Sequence, residues 1–569
     1  MKNFMALLKE KFKYLTKDGR PLKKRIPISA AVHLFSLFTI VFNTPVEVYL
    51  TNITDFDFSF TSLLLVMGTA TVVLTALGTA LSLILKGRLF NYYVTLVFSL
   101  SLCGYIQGNF LNKSVPSLDG NAVAWHDMTA LALINLVIWA VCFIIPFIVH
   151  FISRDFWKKA VIFLSCALVF MQVISLGMIA ATTDFSKYSV EGYYSKDNLY
   201  EVSDDGDTIV LILDYFDNEY MDLLLEEEPD ILNEWTGFTR FANCTGMYKQ
   251  TMPSIAYLLT ATEWKCQTSA WDFSPTAFES SDFLGRIDRA GHEINLYVSG
   301  TANSSVAYSL ADNYSNATPS INPLGMLKSM LTHTLYRNMP IIAKSVFWHY
   351  TDDISNASVK TGTTLKSSPY VINDPSFFSG LKDNGLTASE NGRAFRFVHM
   401  RGAHSPYEMD ENGIATGDTD AVRQRKGSVF VVSQYLRRMK ENGTYDKSTI
   451  IIMADHGAVE IADEMSRAAL PILFVKPANA DSSSAFTTSY APVSQKDFHA
   501  TVLWALGDKN YSDYGRTFFE IPEDEDRVRN FYFRIAYDGS PDESLIEYEI
   551  NGDARDFSNW KLTENRWGD

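Results

Sequence analysis

Ile209-Val-Leu-Ile-Leu-Asp214 and Ile450-Ile-Ile-Met-Ala-Asp455-His456-Gly457 are two apolar runs that each stop on a carboxylate. Short, β-branched runs bounded by polar residues predict strands buried on both faces. Around them, strands expected at 208–213, 294–299, 395–400, 449–454 and 472–475 alternate with helices expected at 218–234, 253–261, 374–384, 420–442 and 495–506. Such alternation predicts an α/β domain with a mostly parallel central sheet covered on both faces. The carboxyl ends of parallel strands share one edge, where ligands bind. Asp214 and Asp455 are therefore expected side by side, and two buried carboxylates repel unless a cation lies between them.

His456 adds an imidazole to that pair. An Asp/Asp/His set suits one divalent ion, Zn²⁺ or Mn²⁺, better than Ca²⁺, which prefers all-oxygen shells. Taken alone, Asp214 reads as a helix N-cap, because a helix is expected from Asn218; taken with Asp455 and His456 it reads as a metal ligand. Between the two strands lies Gln250-Thr251-Met252-Pro253-Ser254, opening a predicted helix. The Thr251 hydroxyl is either a cap or a nucleophile activated by the neighbouring cation, with Ser254 as the next candidate. His404, in the loop after the third strand, is placed to bind an ester oxygen or protonate a leaving group. Arg401 is a candidate anion contact. His399, still within the strand, and His499, on a predicted helix, read as structural histidines.

The N-terminal part is of another kind. Residues 1–25 carry nine Lys/Arg and two acidic residues, and apolar stretches follow at 27–45, 61–85, 89–107, 128–151 and 160–182. Each approaches the ~20 residues that cross a bilayer, and the repetition argues against a cleaved leader. The first is expected to end at Asn43-Thr44-Pro45, with 46–60 at the outer interface. Lys86, Arg88, Arg154, Lys158 and Lys159 fall in two loops; the other two hold Lys113 beside Asp55, Asp57, Asp119 and Asp127. By the positive-inside rule the N-terminus is cytoplasmic, and five spans then place the following domain outside the cell or in the periplasm. The expected organisation is a basic N-terminus (1–26), a five-helix membrane region (27–182), a linker (183–207) and an α/β domain (208–569). Residues 321–350 read as amphipathic, packing on the domain or lying near the membrane, and 529–569 read as antiparallel strands. Net charge over the 569 residues is −16, with no basic stripe, which argues against a nucleic-acid partner. In an exposed domain Cys244 and Cys266 are either a disulfide or two free thiols.

Strand-Asp455-His456-Gly457, Arg467-Ala-Ala-Leu-Pro471 and Pro492-Val-Ser-Gln-Lys-Asp497, in this order, resemble the sulfatase branch of the alkaline phosphatase superfamily over about residues 205–520. Sulfatases carry Cys-x-Pro-Ser-Arg where this chain has Thr251-Met-Pro-Ser-Ile255, so a formylglycine nucleophile is not expected. Threonine at this position, after five spans, resembles lipoteichoic acid synthases and lipid phosphoethanolamine transferases. That resemblance implies one metal held by Asp214, Thr251, Asp455 and His456, with His404 binding substrate. It also implies a phospholipid donor and an envelope glycan or polymer acceptor. One departure is Asp214, where those transferases have glutamate; another is Tyr215, where sulfatases have a second aspartate. The rival expectations are a sulfuric or phosphoric ester hydrolase and, from another class, a non-catalytic lipid-binding membrane sensor.

Overall fold

The computed structural model describes residues 21–53, 56, 58–115, 125–185, 192–298, 300–316, 320–349, 354, 357–359, 372–405, 407–416, 419–458, 467–534 and 544–568. The basic stretch before residue 21, and with it most of the charge bias, lies outside them, as do Asp55, Asp57 and Asp119. The chain forms two compact units, one of Met1–Glu191 with Thr318–Thr361 and one of Gly192–Ala317 with Gly362–Asp569. The chain therefore does not divide at the expected 207/208 boundary. The second unit begins at Gly192, and an internal stretch of the later sequence belongs with the helices.

Among the described residues of the first unit, five helices are long and apolar enough to cross a membrane: Leu22–Thr51, Phe60–Ile84, Gly87–Phe110, Trp125–Ile152 and Arg154–Thr182. We call them α1 to α5. The expected stop at Asn43-Thr44-Pro45 is a correction, because α1 runs on to Thr51. Pro45 has no N–H to give, and the helix widens into a π-helical turn at Phe38–Asn43 just before it. The changed hydrogen-bond spacing there lets the helix pass the proline rather than break. The interfacial stretch expected at 46–60 is thus helix up to Thr51.

In the second unit the central sheet has seven strands: β1 Thr208–Leu213, β2 Thr239–Phe241, β3 Glu293–Tyr297, β4 Ala394–Met400, β5 Thr449–Met453, β6 Leu473–Lys476 and β7 Thr487–Ser489. Their order across the sheet is β7-β2-β6-β5-β1-β4-β3. Only β6 runs against its neighbours; β5-β1-β4-β3 and β7-β2 are parallel. All six residues of β1 and all five of β5 are buried, the strongest sign that helices cover both faces. Val210 and Ile212 pack in one apolar cluster, Ile209, Leu211 and Leu213 in another, so each face has its own core. The expected helix 218–234 is shorter, Asn218–Glu227. Glu228 precedes Pro229, whose ring disfavours helical backbone in the residue before it. Sequence reading passed over β2 and β7, three-residue strands at one side of the sheet, too short to show a period. The aromatic C-terminal stretch forms an antiparallel sheet of β8 Val528–Arg534, β9 Leu545–Asn551 and β10 Trp560–Trp567, as its alternation suggested.

No disulfide joins Cys244 and Cys266, so the bonded alternative is not the one adopted. Burial of Cys244 pushes its thiol well above the ordinary range, which makes it an inert core residue.

Candidate active site

β1 and β5 pair in parallel from Thr208↔Thr449 to Ile212↔Met453, so their carboxyl ends lie side by side. Asp214 and Asp455 follow those ends, and both are fully buried. One ligand atom from each of Asp214, Asp455 and His456 can be chosen so that all lie within 4.8 Å of one another. Asp455 Oδ1 accepts from the backbone N–H of His456 at 2.8 Å and of Tyr215 at 3.3 Å. Its other oxygen, Oδ2, and Asp214 Oδ1 are buried without any hydrogen-bond partner. His456 Nδ1 is 2.8 Å from the Gly457 carbonyl, which fixes the proton on that nitrogen and presents a lone pair on Nε2. Nε2 lies 3.5 Å from Asp455 Oδ2 and 3.8 Å from Asp214 Oδ1. Two orphaned carboxylate oxygens and one lone pair converging at this spacing fit a single divalent cation.

The electrostatics agree. Burial and the neighbouring Asp214 raise the Asp455 carboxyl above its ordinary value. Burial also pushes on Asp214, but the His399 hydrogen bond and the His404 and His456 rings hold its carboxyl below the usual range. The protein alone thus accommodates one charge in this pair readily and the second only at a cost. A cation removes that conflict.

Thr251 is the first residue of the helix Thr251–Thr260, α6, and its side chain does not cap it. The hydroxyl donates to Asp214 Oδ2 at 3.4 Å and lies 3.3 Å from His456 Nε2. The helix begins two residues before the expected 253. Pro253 fits in the first turn because N–H groups there have no partner within the helix. Ser254, the other hydroxyl considered, is fully buried and donates back to the Tyr248 carbonyl at 3.4 Å, turned away from the carboxylates. Asp217, not Asp214, caps the helix after β1, accepting from Tyr220 N at 2.8 Å. Asp214 is thereby left for the site.

Tyr215, between the two aspartates' strands, has φ +65°, a conformation costing of order 1–3 kcal/mol in a non-glycine residue. Its ring meets His404 edge-on at 5.3 Å and His456 at 5.6 Å, so one strained residue spaces the two imidazoles. His404 itself stands on a loop fastened to β1, since Ala403 N donates to the Asp214 carbonyl at 2.9 Å. Arg401 is buried and ion-paired with Glu408, so its charge is already engaged within the loop.

His399 was read as a core residue bonded within the fold. It is fully buried, but its partner is the site itself, with Nε2 3.3 Å from Asp214 Oδ2. The signal was in the register: His399 pairs with Ile212, two residues before Asp214 and on the same face of the sheet. His499 is buried against the Tyr257 carbonyl at 2.9 Å, away from the carboxylates, and burial drops its pKa to about 4.

Two backbone features hold this geometry and yield expectations. Gly402 has φ +61°, and a Cβ there would sit 2.5 Å from Asp214 N and Leu213 C. Gly402→Ala is expected to destabilise the unit by about 2 kcal/mol or more, read as a lower midpoint in denaturant melts, because both strain and clash fall on rigid backbone. Asp374 is fully buried and accepts from Gly402 N at 2.9 Å and Ser428 Oγ at 3.2 Å. Burial raises its carboxyl to about 7, although the Arg401 charge and these hydrogen bonds oppose the rise. A raised acid binds a proton more tightly when folded, so its contribution to stability is full at low pH and falls as pH climbs from about 4 to about 7. Asp374→Asn is expected to flatten that part of the stability-versus-pH curve; an unchanged slope excludes Asp374 as its source.

Comparison with family models and with curated proteins gives no match. Among solved structures, the chain is similar to a protein in the alkaline phosphatase superfamily from Vibrio parahaemolyticus, with 14% identity, 66% of this chain and 85% of that one covered, and a TM-score of 0.38. It is similar to a phosphonate monoester hydrolase from Silicibacter pomeroyi, with 12% identity, 63% and 88% covered, and a TM-score of 0.34. A candidate sulfatase from Bacteroides fragilis gives 12% identity, 64% and 89% covered, and a TM-score of 0.35. At these scores the chemistry of the chain is argued from its own residues. Those residues define a class: an α/β unit with a buried Asp/Asp/His set and a half-buried threonine at the carboxyl edge of its sheet, attached to a bundle of membrane-length helices, five among the described residues.

Proposed function

We propose that the chain is a metal-dependent enzyme acting on phosphoric or sulfuric esters, and more narrowly a phosphotransferase that takes its headgroup from a membrane phospholipid. The observation that carries this is the placement of the Thr251 hydroxyl within 3.4 Å of Asp214 and 3.3 Å of His456, beside two carboxylate oxygens that lack partners. Asp214, Asp455, His456 and Thr251 would hold one Zn²⁺ or Mn²⁺, which supplies Lewis acidity for charge developing on the phosphoryl oxygens. The protein's residues do the rest. Asp214 Oδ2, which accepts from the hydroxyl, takes its proton as the oxygen attacks phosphorus and returns it when Thr251 is freed; the Thr251 O–P bond forms as the bond from phosphorus to the diacylglycerol oxygen breaks. The start of α6, with unpaired N–H groups, favours the incoming anion. His404 delivers a proton to the departing oxygen, and later takes one from the hydroxyl of a glycan or polymer acceptor as that oxygen attacks phosphorus and frees Thr251. Attachment to the membrane bundle keeps the unit at high effective concentration near phospholipid headgroups. The same residues serve a hydrolase if water replaces the acceptor.

The deciding assay uses the full chain in nanodiscs with phospholipid labelled in its headgroup phosphate. Label carried into an added glycan or polymer supports transfer, label released only as a water-soluble phosphate ester supports hydrolysis, and no release with metal-loaded protein leaves the sensor. On the proposed topology, with the N-terminus cytoplasmic, a protease added to intact cells, or to spheroplasts where an outer membrane is present, reaches the α/β unit.

A further inference from the structure

The later sequence contributes more to the helical unit than a surface loop. The Pro323–Asn338 helix is followed by short turns at Ile341–Lys344 and Ser345–Phe347, all within the helical unit. Four polar contacts fasten this segment to two spans and to the stretch just after a third. Asn338 Nδ2 donates to Thr44 Oγ1 at 3.2 Å, and Arg337 pairs with Glu47 at 2.7 Å. Asn112 Nδ2 donates to the Arg337 carbonyl at 2.9 Å, and Ile341 N donates to Asn135 Oδ1 at 3.1 Å. Asn135 in turn donates to Gln107 Oε1 at 2.8 Å, which also accepts from Trp139 at 2.8 Å.

These partners set a depth. Asn135 lies six residues inside the regular helix Thr129–Ile152, or about 9 Å at 1.5 Å per residue, and Thr44 lies seven residues before the end of α1, about 10 Å. Both are measured from the same side, because successive spans alternate in direction. At the level of Asn135, Leu133, Ile134 and Val137 are 59%, 61% and 64% exposed, the faces a membrane span gives to acyl chains. Ile342, next to the Ile341 bonded at that level, and Val346, four residues on, are 62% and 77% exposed. The backbone there is also satisfied in the manner hydrocarbon demands. Lys344 is buried, and its ammonium donates to the Tyr336 and Arg337 carbonyls at the end of their helix. A helix end facing water needs no such cap, because water provides it; in lipid the protein must.

We propose that residues 339–347 form a re-entrant element that dips into the leaflet at this end of the bundle. Ile342 and Val346 face its acyl chains, and the Arg337–Glu47 pair marks the headgroup level. Nine residues cannot cross a bilayer, so the segment enters and leaves on one side. The outer sequence thereby grips the membrane independently of its five spans.

The test uses the unaltered full chain in nanodiscs doped with a phosphatidylcholine carrying a photoreactive diazirine midway along one acyl chain. After illumination, fragment mass spectra are expected to show lipid adducts within 339–347 at a yield comparable to that within 133–137 of α4, and none within 421–441 of the α/β unit. Adducts confined to the five spans overturn the proposal. So does a benzophenone side chain in place of Ile342 that crosslinks to a second copy of the chain and not to lipid.

Discussion

Thr251→Ala is expected to abolish turnover of phosphoric or sulfuric esters while leaving the fold intact. The residue contributes one hydroxyl at the mouth of α6 and caps nothing, so its removal leaves no buried group unpaired in the helix. What is lost is the atom that bonds to phosphorus, and removal of a nucleophile commonly costs about 10³-fold or more in rate. Thr251→Ser keeps the hydroxyl and should restore part of the rate. The melting temperature of the alanine variant, and its kcat/KM with metal in excess, separate lost chemistry from lost structure. Wild-type turnover in Thr251→Ala removes the hydroxyl from the mechanism, and Ser254 is a poor substitute because it is bonded back to Tyr248.

Asp455→Asn is expected to change the sign of its effect with metal. In metal-free protein the orphaned Oδ2 faces Asp214 and His456, at a cost that Asp455 meets by a raised carboxyl pKa. Asparagine keeps Oδ1 as acceptor for Tyr215 N and His456 N, and puts an amide N–H₂ where Oδ2 was. It thus converts repulsion toward Asp214 into a hydrogen bond. The metal-free variant should be more stable than metal-free wild type by about 1–3 kcal/mol. With Zn²⁺ or Mn²⁺ present the order should reverse, because wild type gains the binding energy and the variant has lost a charged ligand. Thermal melts with chelator and with added metal give the four values required. A variant less stable under both conditions means that the carboxylate pair is not a cation site.

How far the sequence went depended on the kind of signal. β1 and β5 were legible because long apolar runs ending on carboxylates have few other readings, and strand parity then placed Asp214 and Asp455 together. The membrane spans were legible by length and hydropathy, but Pro45 misled because a π-helical turn, invisible in composition, carries α1 past it. His399 is the buried, hydrogen-bonded strand histidine expected, but its partner Asp214 comes from another strand, and register between strands is not written in either one alone. Asp217 illustrates the same limit from the other side. Two aspartates three residues apart compete for one helix cap, and only the backbone turn at Tyr215 decides which one caps. The segment 321–350 showed its amphipathic character, while its partners, Thr44, Glu47 and Asn135, lie two to three hundred residues earlier.

Mass spectrometry of the Thr251 peptide bears most directly on whether this hydroxyl is the attacking group. The metal-loaded chain is exposed to phospholipid with acceptor withheld, then quenched in acid and digested. A mass increase on Thr251 equal to a phosphorylated headgroup, absent in Asp214→Asn, is the expected result. Turnover with Thr251 unmodified, or an adduct on any other side chain, contradicts it.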